Sequence, residues 1–164
     1  MMLRSRCKAP AILCLLLCAL VACVQVTPLV AVTEVGAITG ELEMRRGGTL
    51  AWARARSDTI LYVGDTIRAW QSAQVLFLDG TTLALQSGIQ VQIAAFDPVK
   101  KALRFKMELA TIETSDSVAR VQVSESGVDV SVDSGYVNVL AEGGQQQVRG
   151  GEAVSIAFAP PLAE

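Results

Sequence analysis

Several runs of the chain alternate apolar and polar residues with a period of two. Val128, Val130 and Val132 alternate with Asp129, Ser131 and Asp133. Leu103, Phe105, Met107 and Leu109 share one parity, with Arg104, Lys106 and Glu108 on the other. Val154, Ile156 and Phe158 repeat the pattern near the end. Such runs place the apolar set on one face of a pleated strand. The clearest hairpin signal is Val75-Leu76-Phe77-Leu78, then Asp79-Gly80, then Thr81-Thr82-Leu83-Ala84-Leu85. Asp-Gly supplies the positive φ angles of a two-residue type I′ turn at low steric cost. The 13 glycines all lie between Gly36 and Gly151 and punctuate the Val, Ile, Leu and Thr runs. No stretch beyond the leader has a capped helical stripe. The pattern predicts an all-β single domain of short strands and tight turns over residues 35–158, either solenoid-like or a rolled sheet.

An internal echo supports stacked strand units. Gly40-Glu-Leu-Glu-Met44 leads to Gly47-Gly48 and then Gly64-Asp65. Gly135-Tyr-Val-Asn-Val139 leads to Gly143-Gly144 and then Gly151-Glu152. Each half reads as a glycine turn, an alternating strand, a Gly-Gly turn and a Gly-acid turn before another strand.

The first residues follow a different plan. Arg4, Arg6 and Lys8 precede the apolar run Ala11 to Ala22, which ends at Cys23. That run is shorter than the about 20 apolar residues of a spanning helix. Basic residues, a short apolar helix and small residues at its end are the plan of a secretory signal. Leu20-Val21-Ala22-Cys23 resembles the bacterial lipobox, which implies cleavage after residue 22 and lipidation of Cys23. The expected organisation is therefore an N-terminal signal helix over 1–22, a lipidated tether over 23–34, the β domain, and a tail over 159–164 that frays at Pro160-Pro161. The expected location is extracytoplasmic and membrane-anchored.

Composition narrows the chemistry. The chain has no His, 14 Lys+Arg and 16 Asp+Glu, for a formal charge of −2. Loss of the leader removes three bases and no acid, making the remainder more acidic still. An acidic domain is poorly suited to nucleic acid, whose phosphates are held by basic charge. Lack of His excludes Ser-His-Asp triads, Cys-His dyads and His-based zinc sites. Cys7, Cys14, Cys18 and Cys23 all precede the domain, so it is not a disulfide scaffold.

The remaining candidate chemistry rests on carboxylates and aromatics. Asp65 and Asp79 can be read as an acid pair, but beside Gly64 and Gly80 each is better explained as a turn residue. Val132-Asp133-Ser134-Gly135 resembles half of an aspartic-protease site, which needs a second such aspartate. Asp129 and Asp133 share a strand face and could join a calcium site, although no acidic calcium loop surrounds them. Arg45-Arg46 and Arg54/Arg56 read as solvated strand faces or loops. Trp52 and Trp70 are candidate partner contacts, together with Asp129 and Asp133. Arg68 and Trp70 should point to one side of their strand, and core packing is the expected fate of either Trp. No metal or cofactor is expected.

The ordered set of motifs resembles the FecR domain family. The residues that carry this are Val35-Gly36-Ala-Ile-Thr-Gly40-Glu-Leu-Glu-Met44 with Gly47-Gly48, Leu61-Tyr-Val-Gly64-Asp65-Thr-Ile-Arg68, and Ser72-Ala-Gln-Val-Leu-Phe-Leu-Asp79-Gly80-Thr-Thr-Leu-Ala-Leu85. They are followed by Gly135-Tyr-Val-Asn-Val139 and Val148-Arg-Gly-Gly151-Glu152-Ala-Val154. The resemblance implies an exported all-β module. Its founding members relay the state of an outer-membrane transporter to a cytoplasmic sigma factor. Here only Met1 to Lys8 precede the apolar run, and no transporter-facing domain follows Phe158. The family's Arg-Gly-Thr-x-Phe element is replaced by Val118-Ala-Arg-Val-Gln-Val-Ser124. These departures argue against direct sigma-factor control. The expected function is a non-enzymatic, lipid-anchored β-domain that binds a protein or envelope component. The alternatives are an accessory subunit of a FecR-type transmembrane signalling system and, less favoured, a carboxylate-dependent hydrolase.

Overall fold

In the run from Val128 to Val132, the valines are buried and the aspartates exposed, as alternation requires. The computed structural model describes residues 31–77, 80–141 and 144–158, and every regular element in them is a strand. The strands are β1 (Ala31–Thr39), β2 (Leu42–Arg45), β3 (Ala53–Arg54), β4 (Ile60–Tyr62), β5 (Thr66–Ala69), β6 (Ala73–Phe77) and β7 (Thr82–Leu85). They continue as β8 (Gln90–Asp97), β9 (Ala102–Lys106), β10 (Ala110–Val123), β11 (Gly127–Ala141), β12 (Gly144–Arg149) and β13 (Ala153–Ala157). The expected signal helix, Cys23, Asp79 and the expected tail lie outside the described residues. β1 begins at Ala31, inside the segment read as tether.

All thirteen strands form one sheet, ordered β3-β2-β5-β8-β9-β10-β7-β6-β1-β4, with β11 pairing β10, β12 and β13. The long β10–β11 hairpin is its spine. The first half of β10 pairs with β9, and the second half pairs in parallel with β7. Between the halves the register shifts, Asp116 takes φ +41° and Gly135 opposite takes φ +76°. A Cβ on Gly135 would stand 2.3 Å from the Asp116 carbonyl oxygen, so the two strands meet at a closeness only glycine permits. Such irregularities bend a strand pair and let the sheet curl.

The curl brings the two ends of the strand order together. The end strands β3 and β4 are consecutive in the chain, and Ala55 between them is buried. Beyond β4, the Gly64 amide donates to the Ile93 carbonyl at 2.8 Å, and the Ile93 amide donates to the Asp65 carbonyl at 2.8 Å. The result is an all-β, curled half-barrel sheet. Its inner face is apolar, with Phe77 and Phe105 ring centroids 5.4 Å apart among Leu61, Ile67, Leu83, Ile93 and Ile112. Burying such side chains contributes roughly 1.5–3 kcal/mol each.

Two local expectations are corrected. Leu109 is exposed, because β9 ends at Lys106 and the chain turns before β10; the period-two face stops with the strand. The β6–β7 hairpin closes at the Phe77–Thr81 pair, which leaves three loop residues rather than two. Phe77 N donates to the Thr81 carbonyl at 2.9 Å and Gly80 N to the Phe77 carbonyl at 3.0 Å, with Gly80 at φ +92°. A three-residue hairpin loop needs its positive φ at the last loop position, which Gly80 supplies.

The internal echo has a structural counterpart in the two Gly-acid turns. In Tyr62–Asp65 the Asp65 amide donates to the Tyr62 carbonyl at 3.1 Å, and the Tyr62 amide donates to the Asp65 carboxylate at 3.0 Å. In Arg149–Glu152 the Glu152 amide donates to the Arg149 carbonyl at 2.9 Å, and the Arg149 amide donates to the Glu152 carboxylate at 2.8 Å. Gly64 and Gly151 hold the third position of each turn with positive φ. Gly40 echoes Gly135 as well: φ is +90°, and a Cβ would lie 2.3 Å from the Ser72 carbonyl oxygen.

Candidate functional site

The outer faces of β2, β5 and β8 carry cross-strand rows of polar side chains. Glu43 faces Arg68 and Arg68 faces Gln90; Arg45 faces Thr66 and Thr66 faces Gln92. Within the first row, Arg68 Nε and Nη2 both donate to Glu43 Oε2, at 2.8 and 2.7 Å. The carboxylate fixes the guanidinium plane. That plane lies 4.0 Å from the centroid of the Trp52 ring and 5.5 Å from that of Trp70. Trp52 also meets the guanidinium of Arg45 at 4.9 Å. The four side chains form an alternating stack, Arg45–Trp52–Arg68–Trp70, with each exposed cation–π contact worth about 0.5–1 kcal/mol.

Trp70 ends the stack and is 62% exposed. Its backbone is held from two sides. The amide donates to the Glu41 carbonyl at 3.1 Å, and the carbonyl accepts from Ser87 Oγ at 2.9 Å. The large apolar ring is therefore displayed from a fixed point. The expectation that the tryptophans pack in the core is corrected: Trp52 is half-buried beneath arginines and Trp70 faces solvent. Trp70 follows the buried Ala69 and shares the outward parity of Arg68, so alternation carries it away from the core. Beside the stack opens a groove of about 630 Å³, lined by Arg45, Gln90, Gln92, Lys106, Met107 and Phe158 among others.

Arg45 and Arg46 are not free solvated groups. Arg45 stacks on Trp52. Arg46 Nη1 donates to Asp65 Oδ2 at 2.5 Å and to the Ile60 carbonyl at 2.9 Å, with its guanidinium over the Tyr62 ring at 4.7 Å. Asp65 is fully buried, and it also accepts from the Gly47 amide at 3.1 Å and the Tyr62 amide at 3.0 Å. Its carboxylate is consumed in binding the β2–β3 loop to the β4–β5 turn. Burial and these three donors keep it from meeting a substrate. Arg54, by contrast, is an exposed strand residue with a loose contact to Glu41 at 3.5 Å.

The other candidates stand elsewhere. Asp129 and Asp133 are exposed on β11, away from the tryptophans in strand order, and Asp129 accepts from Ser155 Oγ. Among the described residues, no group of three or more His, Cys, Asp or Glu is placed to hold a metal ion. Gly40, Gly64, Gly80, Gly135, Gly151 and Glu152 shape the backbone as described above. Sequence reasoning picked out Trp52, Trp70 and the parity of Arg68 with Trp70, but missed Arg45, Glu43 and the cross-strand stack. Glu43 and Arg68 lie in strands whose register is set only on folding. Comparison with known protein families, curated proteins and solved structures finds no match.

Proposed function

We propose that this chain is a non-enzymatic binding module, a FecR-like β-domain exported and anchored through lipid on Cys23, that engages a protein or envelope partner through the Arg45–Trp52–Arg68–Trp70 face. The observation that carries the reading is the fixed, largely exposed Trp70 at the end of a cation–aromatic stack. Tryptophan and arginine dominate binding hot spots because they combine large apolar area with directed polar contacts. A rigid backbone and a guanidinium oriented by Glu43 reduce the ordering cost of association. Three of the candidate acids support the non-enzymatic side of the reading, since Asp65 is buried and holds three donors while Asp129 and Asp133 lie open on a sheet face.

A photo-crosslinking amino acid at position 70 in living cells tests this. A discrete adduct is expected there, weakened when Arg68→Ala is added, and absent when the crosslinker sits at Val99 in the exposed β8–β9 turn. Equal labelling at both positions would remove the proposed face.

A further inference from the structure

The free edges of the sheet are not alike. β4 has its Ile60 carbonyl capped by Arg46, and β3 carries the charged Arg54 beside Arg56. β12 presents Gln145, Gln146 and Gln147 and ends at Arg149. Charges and caps of this kind guard a sheet edge against pairing with another chain. β13 has neither. Ala153-Val154-Ser155-Ile156-Ala157 is uncharged, contains no Pro, and among the described residues pairs with β11 alone.

Its hydrogen-bonding groups divide cleanly. The Phe158 amide donates to the Ser126 carbonyl at 2.9 Å, and the Glu152 carbonyl accepts from the Val132 amide at 3.0 Å. Even-numbered residues thus direct their backbone groups toward β11. In a strand, successive residues point these groups to opposite sides, so Ala153, Ser155 and Ala157 direct theirs outward. The segment also reads nearly the same in both directions about Ser155. Ala153 mirrors Ala157, and Val154 mirrors Ile156.

We propose that the chain forms a two-fold dimer in which β13 pairs antiparallel with β13 of a second copy, centred on Ser155. A two-fold interface requires a self-complementary surface, and this segment is one. Ser155 then faces its own copy and Ala153 faces Ala157 of the other chain, each as a pair that exchanges both backbone bonds. Small side chains meet on the outer face, so nothing obstructs approach. On the inner face Val154 and Ile156, only half-covered within one chain, gain the equivalent pair from the second copy. No like charges are brought together along the segment. The proposal does not depend on the Arg–Trp face, which lies on other strands.

Sedimentation of the full chain in density-matched detergent tests it. The wild type should have the mass of two chains at micromolar concentration. Ser155→Lys, which sets two ammonium groups against each other, should have the mass of one, while Ser155→Thr stays paired. Paired residues of this kind lie about 5.5 Å apart at Cα, within disulfide range. Ser155→Cys should therefore give a covalent dimer on mild oxidation that wild type, with its native cysteines, does not. A wild type of single mass overturns the proposal. So does a Ser155→Lys protein that remains double, or a Ser155→Cys adduct with a chain of different mass. If Ser155→Lys fails to melt cooperatively, the Ser155→Cys result decides.

Discussion

At the scale of single residues, the glycines divide by what a side chain would meet. Gly48 and Gly135 have almost the same φ, +77° and +76°. A Cβ on Gly48 meets nothing within 4 Å, whereas on Gly135 it meets backbone at 2.3 Å. Gly48→Ala should cost about 1 kcal/mol, the left-handed strain alone. Gly135→Ala should cost about 2–4 kcal/mol, because a neighbouring strand must also move. Urea denaturation of both variants separates the two contributions. Asp65→Asn isolates a different kind of contact. The amide nitrogen cannot accept, so either Arg46 with Tyr62 or Gly47 loses its partner. A buried hydrogen-bonding group left unpaired costs about 1–3 kcal/mol, and the part-exposed Arg46 keeps the loss toward the lower end. The same denaturation measurement reads it, with Asp58→Asn in an exposed turn as the unaffected reference. The turn role of Asp65 was legible from its glycine neighbour. Its burial was not, because Arg46 and Gly47 reach it from a loop far away in the chain.

Individual strands were legible wherever one face is buried and the other wet. β11 is the clearest case. Val130 is 1% exposed and lies between Val121 of β10 and Val154 of β13, while Asp129 and Asp133 face solvent. Val130→Asp should leave the domain unfolded or insoluble, since an unpaired buried charge costs several kcal/mol. Asp129→Asn and Asp133→Asn should melt within about 0.5 kcal/mol of wild type. Circular dichroism melts test all three, and a folded Val130→Asp beside an unfolded Asp129→Asn would invert the strand. Alternation failed where an element ended. Leu109 keeps the parity of Phe105 but lies past β9, and the pattern carries no sign of that stop. The β6–β7 loop was misjudged by one residue because Asp79-Gly80 fits a two-residue turn equally well in sequence; the Phe77–Thr81 hydrogen bond and the β6–β7 register distinguish them.

For the whole molecule, the all-β class followed from periodicity and glycine spacing, while strand order did not. Nothing local specifies that β7 pairs with β10, or that β3 and β4 become the two ends of one curled sheet. The Arg–Trp stack was hidden for the same reason, since its members come from β2, β5 and the loops beside them. The anchoring proposed through Cys23 belongs to this scale too. One acyl chain holds a protein marginally and two hold it stably, and a processed lipobox supplies at least two. Cys23→Ser should move the protein from the membrane fraction into a soluble or unprocessed form. Immunoblots of fractionated cells would show this, and full membrane retention with an intact N-terminus would favour an uncleaved span.

The parallel register of β7 against β10 has a further consequence, in time rather than space. Leu83 meets Val121 only after β8, β9 and most of β10 have been gathered into the loop between them. The β6–β7, β8–β9 and β10–β11 hairpins can close from their own turns, but none of them brings this pair together. Chain entropy must be lost before that contact returns anything, which places such topologies among slow folders, in the millisecond-to-second range. Until then the edge of β10 that receives β7 stays open. The domain is thus expected to remain unfolded, and able to pass through a narrow channel, for longer than its many short hairpins would suggest.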